Sequence, residues 1–169
     1  MTFQVGQQLT ATRLNTEALA GRMIAQIGRT SSSTSASAAQ GVLRLDDVPM
    51  TSGRVYWIAT SALTMIGTVT TDTGTARLSF TTDGSTPTTG STLLNLANSG
   101  PITSTGNGIN MHPGAFYNPG SDIDFSVLLW TQRLSGTGTV QLSAAANRPI
   151  QLFIVDIGVD PGTGYGTSI

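Results

Sequence analysis

Hydrophobic residues in the first 28 positions recur at steps of three and four, which is the period of an α-helix. Thr10 is suited to the N-cap of such a helix, and Gly28 to the position just after its end. The pattern predicts one helix over residues 10–27, which needs a surface on which to bury its apolar stripe. The apolar residues of this stretch are Leu9, Leu14, Ala18, Leu19, Met23, Ile24 and Ile27.

From residue 41 onward the pattern changes to short apolar runs of strand length, separated by Gly, Pro, Asn and Asp. Runs at this spacing, with no helical period among them, indicate one antiparallel β-sandwich, similar to a jelly roll. The predicted fold class is therefore mainly β, with one N-terminal α-helix and an extended arm before the sandwich. The predicted strands cover residues 42–45, 55–59, 63–69, 76–80, 93–96, 123–130, 139–142 and 150–157.

The segment between these zones, residues 29–40, reads RTSSSTSASAAQ and has no large apolar side chain. It can be a flexible linker, or an extended arm that becomes ordered against a neighbouring subunit, and its composition favours a linker or loosely held arm. We therefore divide the chain into an anchoring segment, residues 1–40, and a β-sandwich domain, residues 41–169.

Charged residues are scarce, since 8 basic and 9 acidic residues among 169 leave a net charge of −1. So weak a field argues against binding to nucleic acid, which needs a basic face, and against a polybasic membrane-surface protein. The N-terminus has no signal-peptide pattern and no apolar run is long enough to span a bilayer, so we expect a soluble protein made in a cytoplasm. Cysteine is absent, which excludes disulfides and thiolate chemistry.

Candidate catalytic groups are few. His112 is the chain's one histidine, so a multi-histidine metal site is excluded and a Ser-His-Asp triad would depend on it. Asp122 and Asp124 share a face if they lie on a strand, as a glycosidase pair or half of a calcium site would require. A solvated strand end and a surface-loop histidine are the favoured interpretations. We therefore predict no enzyme, no cofactor and no metal site.

The aromatic residues suggest a different kind of site. Phe116 and Tyr117 follow His112 in a Pro- and Gly-rich loop, so these three residues are candidates for a ligand or subunit contact. Trp57 and Trp130 lie inside apolar runs and are predicted to fill the core.

Several stretches together resemble the small structural proteins of tailed bacteriophages, in particular those that infect actinobacteria. Residues 5–15, VGQQLTATRLN, are similar to the start of many phage minor tail, tail-fibre and head-fibre proteins. Two further stretches resemble the sequence of a β-sandwich that recurs in such proteins. They are residues 41–49 with 53–56, and residues 77–86. Residues 153–158, FIVDIG, resemble their terminal pattern, but the chain lacks the usual glutamate there and has Val159 where that pattern has proline.

The resemblance implies a virion component, usually a homotrimer, of the minor tail or head-decoration type, and it transfers no catalytic residue. We expect the chain to be made in the host cytoplasm, to reach the virion, and to bind its own copies and a tail or major capsid protein. A neutral, hydroxyl-rich surface suits such contacts, because few charges lose water on association. The expected anchoring or oligomer contacts are Leu9, Leu14, Leu19, Met23 and Ile27.

Two other functions remain open at this point. The first is a receptor- or carbohydrate-binding module at a tail tip, which would bind a host cell-surface glycan through the loop of His112, Phe116 and Tyr117. The second is a glycan hydrolase that uses Asp122 and Asp124, for which the sequence offers the least support because the chain has a single glutamate.

Overall fold

The computed structural model describes residues 21–106, 108–160 and 162. These residues form eleven strands in three antiparallel sheets and contain no helix. This part of the chain therefore has no helix that could cross a membrane. The strands are β1 (Arg22–Arg29), β2 (Gln40–Met50), β3 (Arg54–Thr60), β4 (Leu63–Gly67), β5 (Thr73–Thr81), β6 (Thr92–Asn98), β7 (Ile109–Met111), β8 (Gly114–Tyr117), β9 (Ile123–Ser135), β10 (Val140–Ser143) and β11 (Ile150–Val159).

The mainly β fold class is confirmed, with the sheets in a sandwich-like arrangement. The front sheet has the strand order β1-β11-β3-β8, and the back sheet has the order β2-β9-β5-β6. A short sheet, β10-β4-β7, continues the front sheet, because β3 leads into β4 and β7 leads into β8 after only two residues each.

The core consists of the inward-facing residues of all three sheets. Side chains alternate across a strand, so every second residue of these strands points to the same interior. The buried residues form one contiguous cluster, which makes the three sheets a single packing unit. Its fully buried members include Ile58, Leu63, Met65, Leu78, Phe125, Val127, Leu129, Leu142, Leu152 and Ile154.

The prediction of a helix over residues 10–27 is wrong for residues 22–27, because these residues lie in strand β1. β1 pairs with β11 along its length, from Arg22 opposite Asp156 to Arg29 opposite Ile150. Helix propensity is a weak preference that tertiary pairing overrides, and the edge of β11 offers this segment a ladder of backbone hydrogen bonds. Residues 10–20, the rest of the predicted helix, lie outside the described residues.

The hydroxyl-rich arm lies along β10 of its own chain. The backbone N–H of Ser33 donates to the carbonyl of Leu142 at 2.9 Å, and the Ser33 hydroxyl accepts the Leu142 N–H at 2.9 Å. Ala36 and Val140 exchange two backbone hydrogen bonds. Of the predicted anchoring segment, residues 22–29 and Gln40 thus lie in strands β1 and β2, residues 30–39 connect these strands, and residues 1–20 lie outside the described residues.

A buried carboxylate joins the β4–β5 turn to the β9–β10 turn. Asp72 is fully buried and accepts the backbone N–H of Val69 at 3.2 Å and that of Gly138 at 3.1 Å. A Cβ at Gly138 would lie 2.3 Å from a carboxylate oxygen of Asp72, so only glycine fits there. The carboxylate therefore fixes both turns at one end of the sheets.

We expect Asp72→Ala to lower the free energy of unfolding by about 3 kcal/mol, because two N–H groups at a buried site lose their acceptor. The control is Asp46→Ala, which removes an exposed carboxylate paired with Arg44 at 2.8 Å. That change should cost about 1 kcal/mol or less. Urea unfolding followed by circular dichroism measures both values, and equal small losses would contradict the role given to Asp72.

Candidate interaction surface

The outer face of the front sheet is apolar across its full width. One row of residues in register crosses all four strands: Met23, Val155, Trp57 and Phe116. These positions alternate with core residues, so their side chains point away from the core. Phe116 is 68% exposed and Met23 is 48% exposed. We call this surface the outer apolar face; it consists of Met23, Val55, Trp57, Phe116, Phe153, Val155 and Ile157.

Trp57 and Phe116 form the aromatic part of this face. Their ring centroids are 4.7 Å apart at an interplanar angle of 44°. The indole lies over Gly114, where a Cβ would be 2.9 Å from the ring atoms Cζ2 and Cη2 of Trp57. Glycine is thus required for this close approach. Because a pair in this geometry contributes roughly 0.5–1.5 kcal/mol, the two rings form one preformed surface.

No charged residue points outward from the four described strands of the front sheet. The charged pair at the end of this sheet lies in the gap between the sheets, where Arg54 Nε donates to Asp156 Oδ2 at 2.7 Å. This hydrogen bond raises the pKa of Arg54 above its ordinary value, so the guanidinium stays charged. A partner could therefore cover the outer apolar face without removing water from any charge on it.

A second apolar surface lies on the back sheet, along its end strand β6. Leu93 and Leu96 are 45% and 37% exposed, and they stand opposite Ser79 and Arg77 on the outward side of β5. Trp130 Nε1 donates to Ser79 Oγ at 2.9 Å, and the Arg77 guanidinium lies 5.0 Å from the Trp130 ring centroid. We call Leu93 and Leu96 the β6 strip. The strip therefore borders a back-sheet face whose tryptophan is already covered by an arginine.

The structure separates the predicted ligand-contact residues. Phe116 points outward, whereas Tyr117 packs inward against Phe80 and Phe125, with ring centroids 5.4 and 4.9 Å away. Burial raises the pKa of Tyr117. His112 is exposed in the connection between β7 and β8. Phe116 and His112 are thus accessible to a ligand, and Tyr117 is largely a core residue.

The two described members of the predicted anchoring stripe do not share a face. Met23 points outward opposite Val155, whereas Ile27 stands opposite the core residue Leu152. A bulge between Met23 and Ala25 shifts the register of β1 and produces this difference. The remaining predicted anchoring residues, Leu9, Leu14 and Leu19, lie outside the described residues.

The paired aspartates line an open cleft of about 490 Å³ together with Asp83. Asp122 and Asp124 are exposed, and Asp122 Oδ1 accepts the backbone N–H of Ser52 at 2.8 Å. Asp83 accepts hydrogen bonds from the hydroxyl and the N–H of Ser85, which lower its pKa. Asp122 and Asp83 therefore hold turns. In the described ranges no three His, Asp or Glu side chains are grouped so that they could hold a metal ion.

Trp57 lies on the outer apolar face, which its sequence context does not indicate. The prediction that Trp57 fills the core is wrong, because it lies between the inward-facing Tyr56 and Ile58 on β3 and points outward. The predicted burial of Trp130 is confirmed, since it is 4% exposed, and on the outward side of β9 it is covered by Arg77. Residues 55–59 read VYWIA without polar positions, so nothing in the sequence indicates which side of the strand each residue faces.

Both apolar surfaces consist of side chains that gain about 25 cal/mol for each Å² removed from water. Their chemistry is that of binding surfaces, and they lie on opposite sheets of one chain. No protein-family model and no curated protein matches the chain.

Proposed function

We propose that the chain is a non-enzymatic structural protein of a bacteriophage virion. It acts as a homotrimer and is attached to the tail or capsid through its N-terminal segment, as a minor tail or head-decoration protein. The observation that carries this proposal is the outer apolar face of the front sheet. A contiguous exposed apolar surface rimmed by polar residues is typical of an interaction site, and a virion component has permanent neighbours to cover it.

The strand order supports a jelly roll as the finer fold assignment. If β3 with β4, β7 with β8 and β10 with β11 are each counted as one bent strand, the described residues form eight strands. The front sheet then has the order 1-8-3-6 and the back sheet the order 2-7-4-5. Two Greek keys combined in this way make a jelly roll, which occurs in viral capsid proteins and lectins. Because one fold serves many functions, the strand order supports the fold and only adds to the case for a virion protein.

The charge of the chain also supports a subunit of an assembly. A net charge of −1 over 169 residues produces almost no repulsion between copies. Proteins whose net charge is near zero tend to associate, whereas a large net charge keeps them apart. Copies of this chain can therefore pack closely on a particle.

Residues 1–20 are the proposed attachment to the particle. They join the described chain at Gly21, whose N–H donates to the carbonyl of Asp156 and whose φ is +80°. Gly21, the first described residue after this segment, therefore lies at the edge of the front sheet, close to Met23 in the outer apolar face. Leu9, Leu14 and Leu19 supply the apolar side chains with which it would bind.

Deleting residues 1–20 should leave the circular dichroism spectrum and thermal unfolding nearly unchanged, because all eleven described strands remain. The shortened protein should fail to join particles, which immunogold microscopy of complemented phage measures. Deleting residues 1–30 removes β1 as well, and should destabilise the protein by leaving the edge of β11 unpaired. Normal incorporation of the protein without residues 1–20 would refute the anchoring role. Absence of the full-length protein from particles would refute the proposed function.

A carbohydrate-binding module is the second candidate function, and one observation favours it. The exposed ring of Phe116 lies beside Trp57, and an exposed aromatic ring can stack on the apolar face of a sugar. The sugar bound there would be part of a glycan on the host cell surface.

In that case Phe116→Ala should weaken glycan binding about tenfold, which corresponds to about 1.4 kcal/mol. The matched control is Tyr117→Phe, which alters the inward-facing neighbour and should leave binding unchanged. A glycan array measures both variants and the unchanged chain. Binding of the unchanged chain at background level would exclude this candidate.

A further inference from the structure

We propose that a cleft between the front and back sheets binds a small organic acid, whose carboxylate is held by Arg54 and Arg22. We call this space the arginine cleft; its lining includes Arg22, Ile24, Val48, Pro49, Arg54 and Tyr56, and its volume is about 440 Å³. The inference goes beyond the proposed function and does not rest on it, because a small ligand can bind whether or not the chain joins a particle.

The arginine cleft lies at one end of the two sheets. Arg22, Asp156 and Tyr56 stand opposite one another on β1, β11 and β3 of the front sheet. Directly opposed residues of antiparallel strands face the same side, and Tyr56 is 2% exposed, so this row points toward the back sheet. Val48 and Pro49 of β2 form the facing wall. A cleft of this volume is within the range of pockets that enclose small ligands.

Arg54 is held in place by one edge of its guanidinium, which leaves the other nitrogens for a ligand. Its Nε donates to Asp156 Oδ2, and Asp156 Oδ1 accepts the backbone N–H of Gly158 at 3.0 Å. Within the described residues no hydrogen bond uses Nη1 or Nη2 of Arg54, and neither is a buried atom without a partner. These two nitrogens offer a planar pair of donors, which matches the two oxygens of a carboxylate.

The charge of the arginine cleft suits a monoanion. Its described lining holds two guanidinium groups, those of Arg22 and Arg54, and one carboxylate, that of Asp156. Because the side chains of Arg54 and Asp156 are only 17% and 9% exposed, water screens charges there less than at an open surface. One negative charge on the ligand therefore balances the cleft.

The neighbouring cleft of Asp83, Asp122 and Asp124 disfavours a ligand with two negative charges. Pro49 and Thr51 line both clefts, so three carboxylates lie near the arginine cleft. Their repulsion doubles when the charge of the ligand doubles. A carboxylate should thus bind in preference to a dianion such as sulfate.

Apolar side chains and one hydroxyl complete the site. Ile24 and Val48 are packed against the core and also line the cleft, together with Pro49. Tyr56 Oη accepts the backbone N–H of Thr51 at 2.8 Å, so its own O–H remains a donor for the ligand. In small-molecule sites an apolar lining holds the body of the ligand while a few polar groups orient it. The geometry therefore favours a carboxylate on a small apolar body over a hydroxyl-rich sugar acid.

The test titrates full-length, nitrogen-15-labelled protein with benzoate and follows its nuclear magnetic resonance signals. We expect shifts of the backbone signals of Thr51, Arg54 and Tyr56. Three further probes each lack one matched feature: benzamide has no charge, glucuronate has a hydroxyl-rich body, and sulfate is a dianion. Each should bind about tenfold or more weakly than benzoate, as expected for the loss of one good contact.

Three variants then test the role of the arginines. Arg54→Lys keeps a charge beside Asp156 but loses the planar pair of donors, so the affinity for benzoate should fall about tenfold. Arg22→Gln removes the charge that the cleft leaves unbalanced, and it should lower the affinity by a similar factor. The matched control is Arg148→Gln, which removes the same charge from an exposed position outside the cleft and should leave the affinity unchanged. Circular dichroism checks folding, and Arg22→Gln alone provides the test if Arg54→Lys does not fold.

Several results would overturn the inference. Benzoate-dependent shifts that are absent, or confined to Trp57 and Phe116 on the outer apolar face, would exclude the site. Equal affinity for benzamide or sulfate would refute recognition of a carboxylate, and equal affinity for glucuronate would refute the role of the apolar walls. Unchanged affinity in Arg22→Gln or in folded Arg54→Lys would refute the role of the arginines. The proposed function is tested separately, by labelling of particles, so either proposal can fail without the other.

Discussion

Burial of one face of every strand in a common core is the interaction on which the rest of the structure depends. Ile58, Phe125 and Leu129 are fully buried there, and the alternation of side chains sends their neighbours outward. In most antiparallel sheets those neighbours are polar, because water covers them. In the front sheet Trp57 and Phe116 occupy such positions, so the alternation that completes the core also places an apolar surface on the outside of the described strands.

The back sheet and the centre of the front sheet could be predicted from the sequence, because β-branched and aromatic residues alternate there over runs bounded by turns. The strand predicted over residues 123–130 is part of β9, for example. β1 could not be predicted, because Met23, Ile24 and Ile27 fit a helical period equally well. Its partner β11 lies at the other end of the chain, and a local pattern carries no information about so distant a ladder.

The candidate site could be predicted only in part. The position of Phe116 among Pro and Gly predicts an exposed residue, and Phe116 lies on the surface. The same loop pattern includes Tyr117, but two adjacent aromatics on a strand face opposite sides, and residues 114–117 form β8. The apolar run around Trp57 suggests burial in the core, whereas the side chain points outward. In each case the sequence does not show which side of the sheet the side chain faces. That side depends on the strand register and on bulges such as the one in β1.

An interface with almost no charge depends on the shape of its surfaces for selectivity. With almost no charge to steer an approaching partner, a contact at these surfaces would have no electrostatic selection between correct and incorrect surfaces. Selectivity must then come from side chains that hold fixed positions before contact, because ordering them on contact would cost free energy. Gly114 allows the Trp57 ring to pack beside Phe116, and the Arg77 guanidinium lies over the Trp130 ring next to the β6 strip. Both apolar surfaces are thus prearranged by contacts within the chain.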